Sequence, residues 1–186
     1  MKKEIRVIGI DDAPFNKFKK GKTLIIATVF RGGLFLDGIL STKVDIDGDN
    51  ATEKLIQMIN NSKFKPQLQC IFLDGIALGG FNIVDIEELY KKTKIPVIVV
   101  IRRKPNIEEI KETLMNIGKE NKISILEKAG KVIKVNRIFI QIKGLSLLEA
   151  QELLKITCTR SYIPEPIRVA HLIASGIIFG ESRGRA

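Results

Sequence analysis

Leu24-Ile25-Ile26-Ala27-Thr28-Val29-Phe30 and Leu34-Phe35-Leu36-Asp37-Gly38-Ile39-Leu40 are two apolar runs separated only by Arg31-Gly32-Gly33. Each has the length of a strand, and adjacent glycines tolerate the positive φ of a tight hairpin turn. Upstream, Val7 to Ile10 reads as the end of another strand, so the chain opens with three antiparallel strands. Downstream the pattern changes. Asn50 stands three residues before Glu53 in a capping-box arrangement, and Leu55, Ile56 and Ile59 give the stripe of a first helix. Cys70 to Leu73 is a strand that stops at Asp74-Gly75. A helix from about Val84 to Lys92 follows, then the strand Val97 to Ile101, which Pro96 can begin but not interrupt. Beyond it the patterns predict a helix from Ile107 to Ile117, two or three strands between Ile123 and Ile142, and a helix from Ser146 to Ile156. A last helix begins at Pro166, where a missing N–H costs nothing. Hairpin strands followed by β/α alternation predict an α/β fold, a mixed sheet with helices on its faces.

At 186 residues, with no repeat and no linker, the chain is expected to form a single domain over 1–186. The segment from Gly180 to Ala186, with three charged residues and two glycines, is expected to be mobile. The clearest apolar run, Ile95 to Ile101, is far short of the roughly 20 residues of a membrane span. The start of the chain carries no long apolar region, so a cytoplasmic location is expected. Cys70 and Cys158 lie in apolar segments without a second ligand at metal-binding spacing and read as buried thiols. A net charge of +10 implies a surface that attracts a polyanion, nucleic acid being one partner and a merely lysine-rich surface the plainer alternative.

Asp11 and Asp12 follow the first strand and Asp74 follows the fourth. Ligands bind outside the carboxyl ends of parallel strands, so Asp11 and Asp74 converge if these two strands are parallel neighbours. Carboxylates brought together repel unless they share a proton or a cation, and hard oxygen donors suit Mg²⁺ or Mn²⁺. Either aspartate alone would read as a strand end bonding turn amides. A third ligand is expected from Asp45-Ile46-Asp47-Gly48-Asp49-Asn50, with Asp49 the candidate and Glu53 a helix cap. The segment is no calcium loop, because its sixth position is Asn50 and its twelfth is Ile56. No nucleophilic triad is visible, and the one histidine, His171, reads as a surface or packing residue. Gly75-Ile76-Ala77-Leu78-Gly79-Gly80 does not match a nucleotide-binding glycine loop.

Several stretches resemble endonuclease V in the same order along the chain. They are Val7-Ile8-Gly9-Ile10-Asp11, Leu73-Asp74-Gly75, Pro96-Val97-Ile98-Val99-Val100 and Ile163-Pro164-Glu165-Pro166-Ile167-Arg168-Val169-Ala170-His171. Asp11-Asp12-Ala13-Pro14-Phe15, Gly80-Phe81-Asn82-Ile83-Val84-Asp85 and Gly180-Glu181-Ser182-Arg183-Gly184-Arg185 are similar to a mainly archaeal relative of that enzyme, once called domain of unknown function ninety-nine. The resemblance implies a ribonuclease H-like fold and a metal-dependent endonuclease activity associated with deoxyuridine in DNA. There are departures. Leu78-Gly79-Gly80-Phe81 replaces a His-Pro-Arg stretch, Lys43-Val44-Asp45-Ile46 replaces the Tyr-Ile-Pro-Gly wedge, and Lys143 or Gly144 stands where endonuclease V has a late catalytic histidine. They weigh against inosine recognition by the endonuclease V route.

On this reading Asp11, Asp74 and Asp49 hold Mg²⁺ or Mn²⁺ and carry the catalysis. Arg102, Arg103 and Lys104, after the fifth strand, would contact phosphates. Lys17, Lys19, Lys20 and Lys22 would extend the track, and Arg183 and Arg185 would close over it from the tail. Phe15, Phe81 and Asn82 are candidates for recognising an extruded base. Two other classes stay open: a nucleic-acid binder without catalysis, and an actin-like ATPase. The latter usually requires a second domain and phosphate loops that this chain lacks.

Overall fold

Side chains alternate across a strand, and the first strand, β1 (Arg6–Asp12), has apolar residues pointing both ways. It is therefore a central strand needing cover on two sides. In the computed structural model, which describes residues 4–184, it lies in the middle of a seven-stranded sheet. Its partner β2 (Lys22–Arg31) turns through Gly32, at φ 58°, into the edge strand β3 (Phe35–Asp45), giving the three antiparallel strands expected. Helix α1 (Ala51–Asn60) leads to β4 (Leu68–Asp74), which pairs in parallel with β1. A small hairpin, β5 (Ala77–Leu78) and β6 (Asn82–Ile83), precedes α2 (Ile86–Thr93) and the parallel strand β7 (Val97–Ile101). Helices α3 (Ile107–Asn116) and α4 (Ile123–Lys128) then precede β8 (Ile133–Val135) and β9 (Ile138–Lys143), which add antiparallel to β7. Helices α5 (Leu147–Thr157) and α6 (Glu165–Phe179) close the fold. The sheet order is β3-β2-β1-β4-β7-β9-β8.

Two cores result. Ile8, Ile10, Ile71 and Leu73 face Leu55, Ile59 and Leu89 of α1 and α2. Val7, Cys70 and Phe72 face Leu153, Leu154 and Ile167 of α5 and α6. Helices thus cover both faces, as expected for this α/β mixed sheet. Among the described residues no helix is long and apolar enough to cross a membrane. Cys70 is fully buried and Cys158 partly so; burial raises both thiols, Cys158 to about 12.

Two local expectations need correction. Ile123 to Lys128 is a helix, because Leu126 packs on Leu114 and Ile83 in a small separate cluster. The Asn50–Glu53 capping box does not form. Asn50 spends its amide on Asp45 and Asn82, and Glu53 accepts from the Gln57 amide. A capping box does form at Ser146 and Glu149, at the head of α5. The terminal segment turns back at Gly180: Arg183 N–H donates to Ser175 Oγ at 2.9 Å and the Ser182 hydroxyl to the Leu172 carbonyl at 3.2 Å.

Candidate metal centre

Along β1, Val7, Gly9 and Asp11 share the face covered by α5 and α6, while Ile8 and Ile10 take the other. Along β4 the same face receives Cys70, Phe72 and Asp74. Ile10 lies opposite Leu73 in the parallel register, so Asp11 and Asp74 leave the two strands side by side on one face. Asp12 points to the opposite face, where the Gly79 N–H donates to its Oδ2 at 2.5 Å.

Helix α6 supplies a third group. Its first turn rests on Gly9, where a Cβ would lie 2.6 Å from the Cβ of Pro166. The Thr28 hydroxyl fixes the contact by donating to the Pro166 carbonyl at 2.6 Å. From Pro166, five helical residues rise about 7.5 Å; from Gly9, two strand residues advance about 6.6 Å. His171 therefore comes level with Asp11, its Nδ1 2.9 Å from Asp11 Oδ2. Asp11, Asp74 and His171 each offer a ligand atom, all within 4.8 Å of one another.

The electrostatics are those of a site short of positive charge. Burial, reinforced by Asp11, pushes the Asp74 carboxyl above its usual range, although the Arg102 guanidinium 2.6 Å away pulls it down. Asp12 is pushed up to about 6, chiefly by burial, with repulsion from Asp11 and Asp74 added. The hydrogen bond to Asp11 raises His171. His171 Nε2 is buried and makes no close hydrogen bond among the described residues, though the Arg183 backbone adds to the rise. Two crowded carboxylates and an imidazole form a donor set that fits a divalent cation. An open cleft of about 500 Å³ lies over them, also lined by Asp12, Phe15, Lys17 and Arg102.

The other candidates fall elsewhere. Asp49 lies outside this cluster: Lys122 Nζ is 2.6 Å from its Oδ1 and also donates to the Phe81 and Gly48 carbonyls, so an ammonium already occupies that loop. Asn82 cannot read a base. It is fully buried, its Oδ1 accepting from Ala51 N–H and its Nδ2 donating to the Asp45 carbonyl and Asn50 Oδ1, all at 2.9 Å. Phe81 is half-buried against Ile83, Leu114 and Leu126. Arg103, Lys104, Lys19, Lys20 and Lys22 are exposed, and Arg183 pairs with Glu181 at 3.0 Å and lies over the Phe179 ring. Arg185 lies outside the described residues.

His171 is the functional candidate that the sequence reading set aside, and Lys143 does not take a histidine's place: it pairs with Glu87 at 3.5 Å. The available signal was its position closing the Pro164-Glu165-Pro166 segment, on a helix whose docking only the fold reveals.

A family model described as endonuclease dU matches residues 3–178. The chain is 48% identical over 191 residues to a UPF0215 protein of Methanothermobacter thermautotrophicus, spanning 100% of this chain and 94% of that protein. A crystal structure of an Archaeoglobus fulgidus protein of unknown function is similar at a TM-score of 0.88 and 45% identity, over 94% of this chain and 99% of that one. Endonuclease V of Ciona intestinalis, solved with a 24mer DNA containing an inosine followed by a ribo-adenosine, shares the fold at a TM-score of 0.56 and 19% identity, over 89% and 82% of the two chains.

Proposed function

Because the chain belongs to the endonuclease dU family, we propose that it is a metal-dependent endonuclease cutting DNA at deaminated bases, deoxyuridine in preference to deoxyinosine. The observation that supports this most is the convergence of Asp11, Asp74 and His171 under one open cleft. These three residues would hold Mg²⁺ or Mn²⁺, in place of the Asp11, Asp74 and Asp49 set that the sequence suggests. When bound, the cation would supply the positive charge that stabilises the phosphoryl oxygens and acidifies an attacking water.

The remaining groups have assignable tasks. In the metal-free site His171 Nδ1 hydrogen-bonds Asp11 and keeps that carboxylate from turning into solvent; the same nitrogen, once deprotonated, would be its ligand atom for the cation. Arg102 lies against Asp74 with its side chain still 36% accessible, so it can exchange that carboxylate for a phosphate oxygen when DNA enters. Arg103, Lys104, Lys20 and Lys22 lie exposed as further phosphate contacts.

Labelled duplexes carrying a single deoxyuridine, deoxyinosine or normal base, incubated with Mg²⁺, Mn²⁺ or chelator, test this function. Strand cleavage is expected with either metal, fastest at deoxyuridine, and none with chelator. Binding without cleavage under every condition would replace the nuclease by a non-catalytic nucleic-acid binder on the same fold.

A further inference from the structure

Between β1 and β2 the chain passes the rim of the cleft as a loop with an anchored stem and an uncovered tip. Ala13 N–H donates to the Leu24 carbonyl at 2.7 Å and the Thr23 hydroxyl to the Ala13 carbonyl at 3.0 Å. The stem is thereby fixed to the sheet two residues beyond Asp11. At the tip, Asn16 accepts twice, its Oδ1 from Phe18 N–H at 2.9 Å and its carbonyl from Lys19 N–H at 3.1 Å. This compact turn needs nothing from the Phe18 ring. Phe15 and Lys17 line the cleft, and Phe18, the next residue, is 96% exposed, more than any other large apolar side chain among the described residues. Lys17, Lys19, Lys20 and Lys22 flank it in the sequence, all exposed.

Nothing in the fold uses this ring, and its neighbours select its partner. Four exposed lysines within four residues of one exposed ring match a phosphate backbone with a base face beside it, the pairing by which single-stranded nucleic acid is commonly held. Lysines alone bind duplex and unstacked DNA through the same phosphates; a ring adds affinity only where a base face is available. A nucleobase acted on beside the cleft must leave the stack, which exposes the faces of its neighbours. On the premise that the cleft cuts DNA at a deaminated base, we propose that Phe18 is a positioning residue that stacks on the base next to the extruded nucleotide and holds the gap open. An anionic lipid surface would also attract the lysines. The rest of the 16–22 loop is polar, however, and a single ring offers little for insertion into a bilayer.

The chain contains no tryptophan, so Phe18→Trp introduces a single tryptophan at the tip, which can be excited selectively over Tyr90 and Tyr162. Binding is measured in chelator, with a duplex carrying one deoxyuridine opposite guanine and with the corresponding normal duplex. Quenching of the Phe18→Trp emission is expected with the deoxyuridine duplex. Phe18→Ala should lose about tenfold in affinity for that duplex with an unchanged salt slope, whereas Lys17→Ala with Lys19→Ala should flatten the slope by about one unit per lost phosphate contact. Equal affinity of Phe18→Ala and wild type, with no quenching of Phe18→Trp, overturns the proposal. A response of Phe18→Trp to anionic phosphatidylserine vesicles and not to DNA overturns it in favour of a membrane. Quenching by the deoxyuridine duplex without cleavage in Mg²⁺ or Mn²⁺ would uphold the stacking role while refuting the nuclease. Undiminished deoxyuridine binding by Phe18→Ala, in a protein whose wild type cleaves, would refute the stacking role alone.

Discussion

Asp74→Asn is expected to leave a folded protein whose cleavage of deoxyuridine DNA falls by at least about a thousandfold, the scale of charge stabilisation that a metal ion supplies. The substitution keeps the shape of the side chain and removes its charge. At neutral pH the fold holds Asp74 at a cost, because burial and Asp11 both disfavour the carboxylate. The sign follows from that direction. A carboxyl raised in the folded state destabilises it above the raised value, and the penalty fades as pH falls through that value. Asn removes the penalty. It also loses the Arg102 ion pair, but that guanidinium is about one-third exposed and the pair is worth only about 0–1 kcal/mol. The metal-free variant should therefore melt no lower than wild type by circular dichroism. Added Mn²⁺ should raise the wild-type melting temperature more than that of the variant, since only a ligand bound preferentially by the native state stabilises it. A variant that cuts at the wild-type rate would reduce Asp74 to a strand end.

Gly9→Ala should fail in the opposite way, losing stability and activity together. In most strands such a change stabilises slightly, because glycine carries excess backbone entropy. Here the new methyl would meet the backbone of Pro166 and Ile167, and overpacking of this kind costs about 1–3 kcal/mol, towards the upper end because backbone is the obstacle. Moving the first turn of α6 away from β1 also separates His171 from Asp11, because the same rigid helix carries both contacts. The urea midpoint should drop, and cleavage by the protein still folded at low denaturant should drop with it. An unchanged midpoint with full activity would show that α6 is not held on Gly9 as described.

The contrast between these variants marks what the sequence could reveal. The strands were legible because their apolar runs end at glycines and aspartates. Asp11 and Asp74 were legible because each closes such a run and parallel pairing brings strand ends together. His171 was not, since its contact with Asp11 spans 160 residues and depends on Gly9 admitting a helix. Asp49 looked like a ligand in an acid-rich loop; what decides its role is Lys122, buried by the packing of α3 and α4. Asn82 sat in a motif beside the expected site, yet its three hydrogen bonds go to the loop ahead of α1, a tertiary contact with no local signature. Ile123-Ser124-Ile125 alternates like a strand, and only the contact of Leu126 with Leu114 makes it helical.

The central claim is that Asp11, Asp74 and His171 form one cation site. Crystals grown with Mn²⁺ and measured at an X-ray energy where manganese scatters anomalously test it most directly. The account predicts one strong anomalous peak shared by Asp11, Asp74 and His171, absent from Asp74→Asn crystals. A peak beside Asp47 and Asp49 instead, or none at the three residues in saturating Mn²⁺, would contradict it.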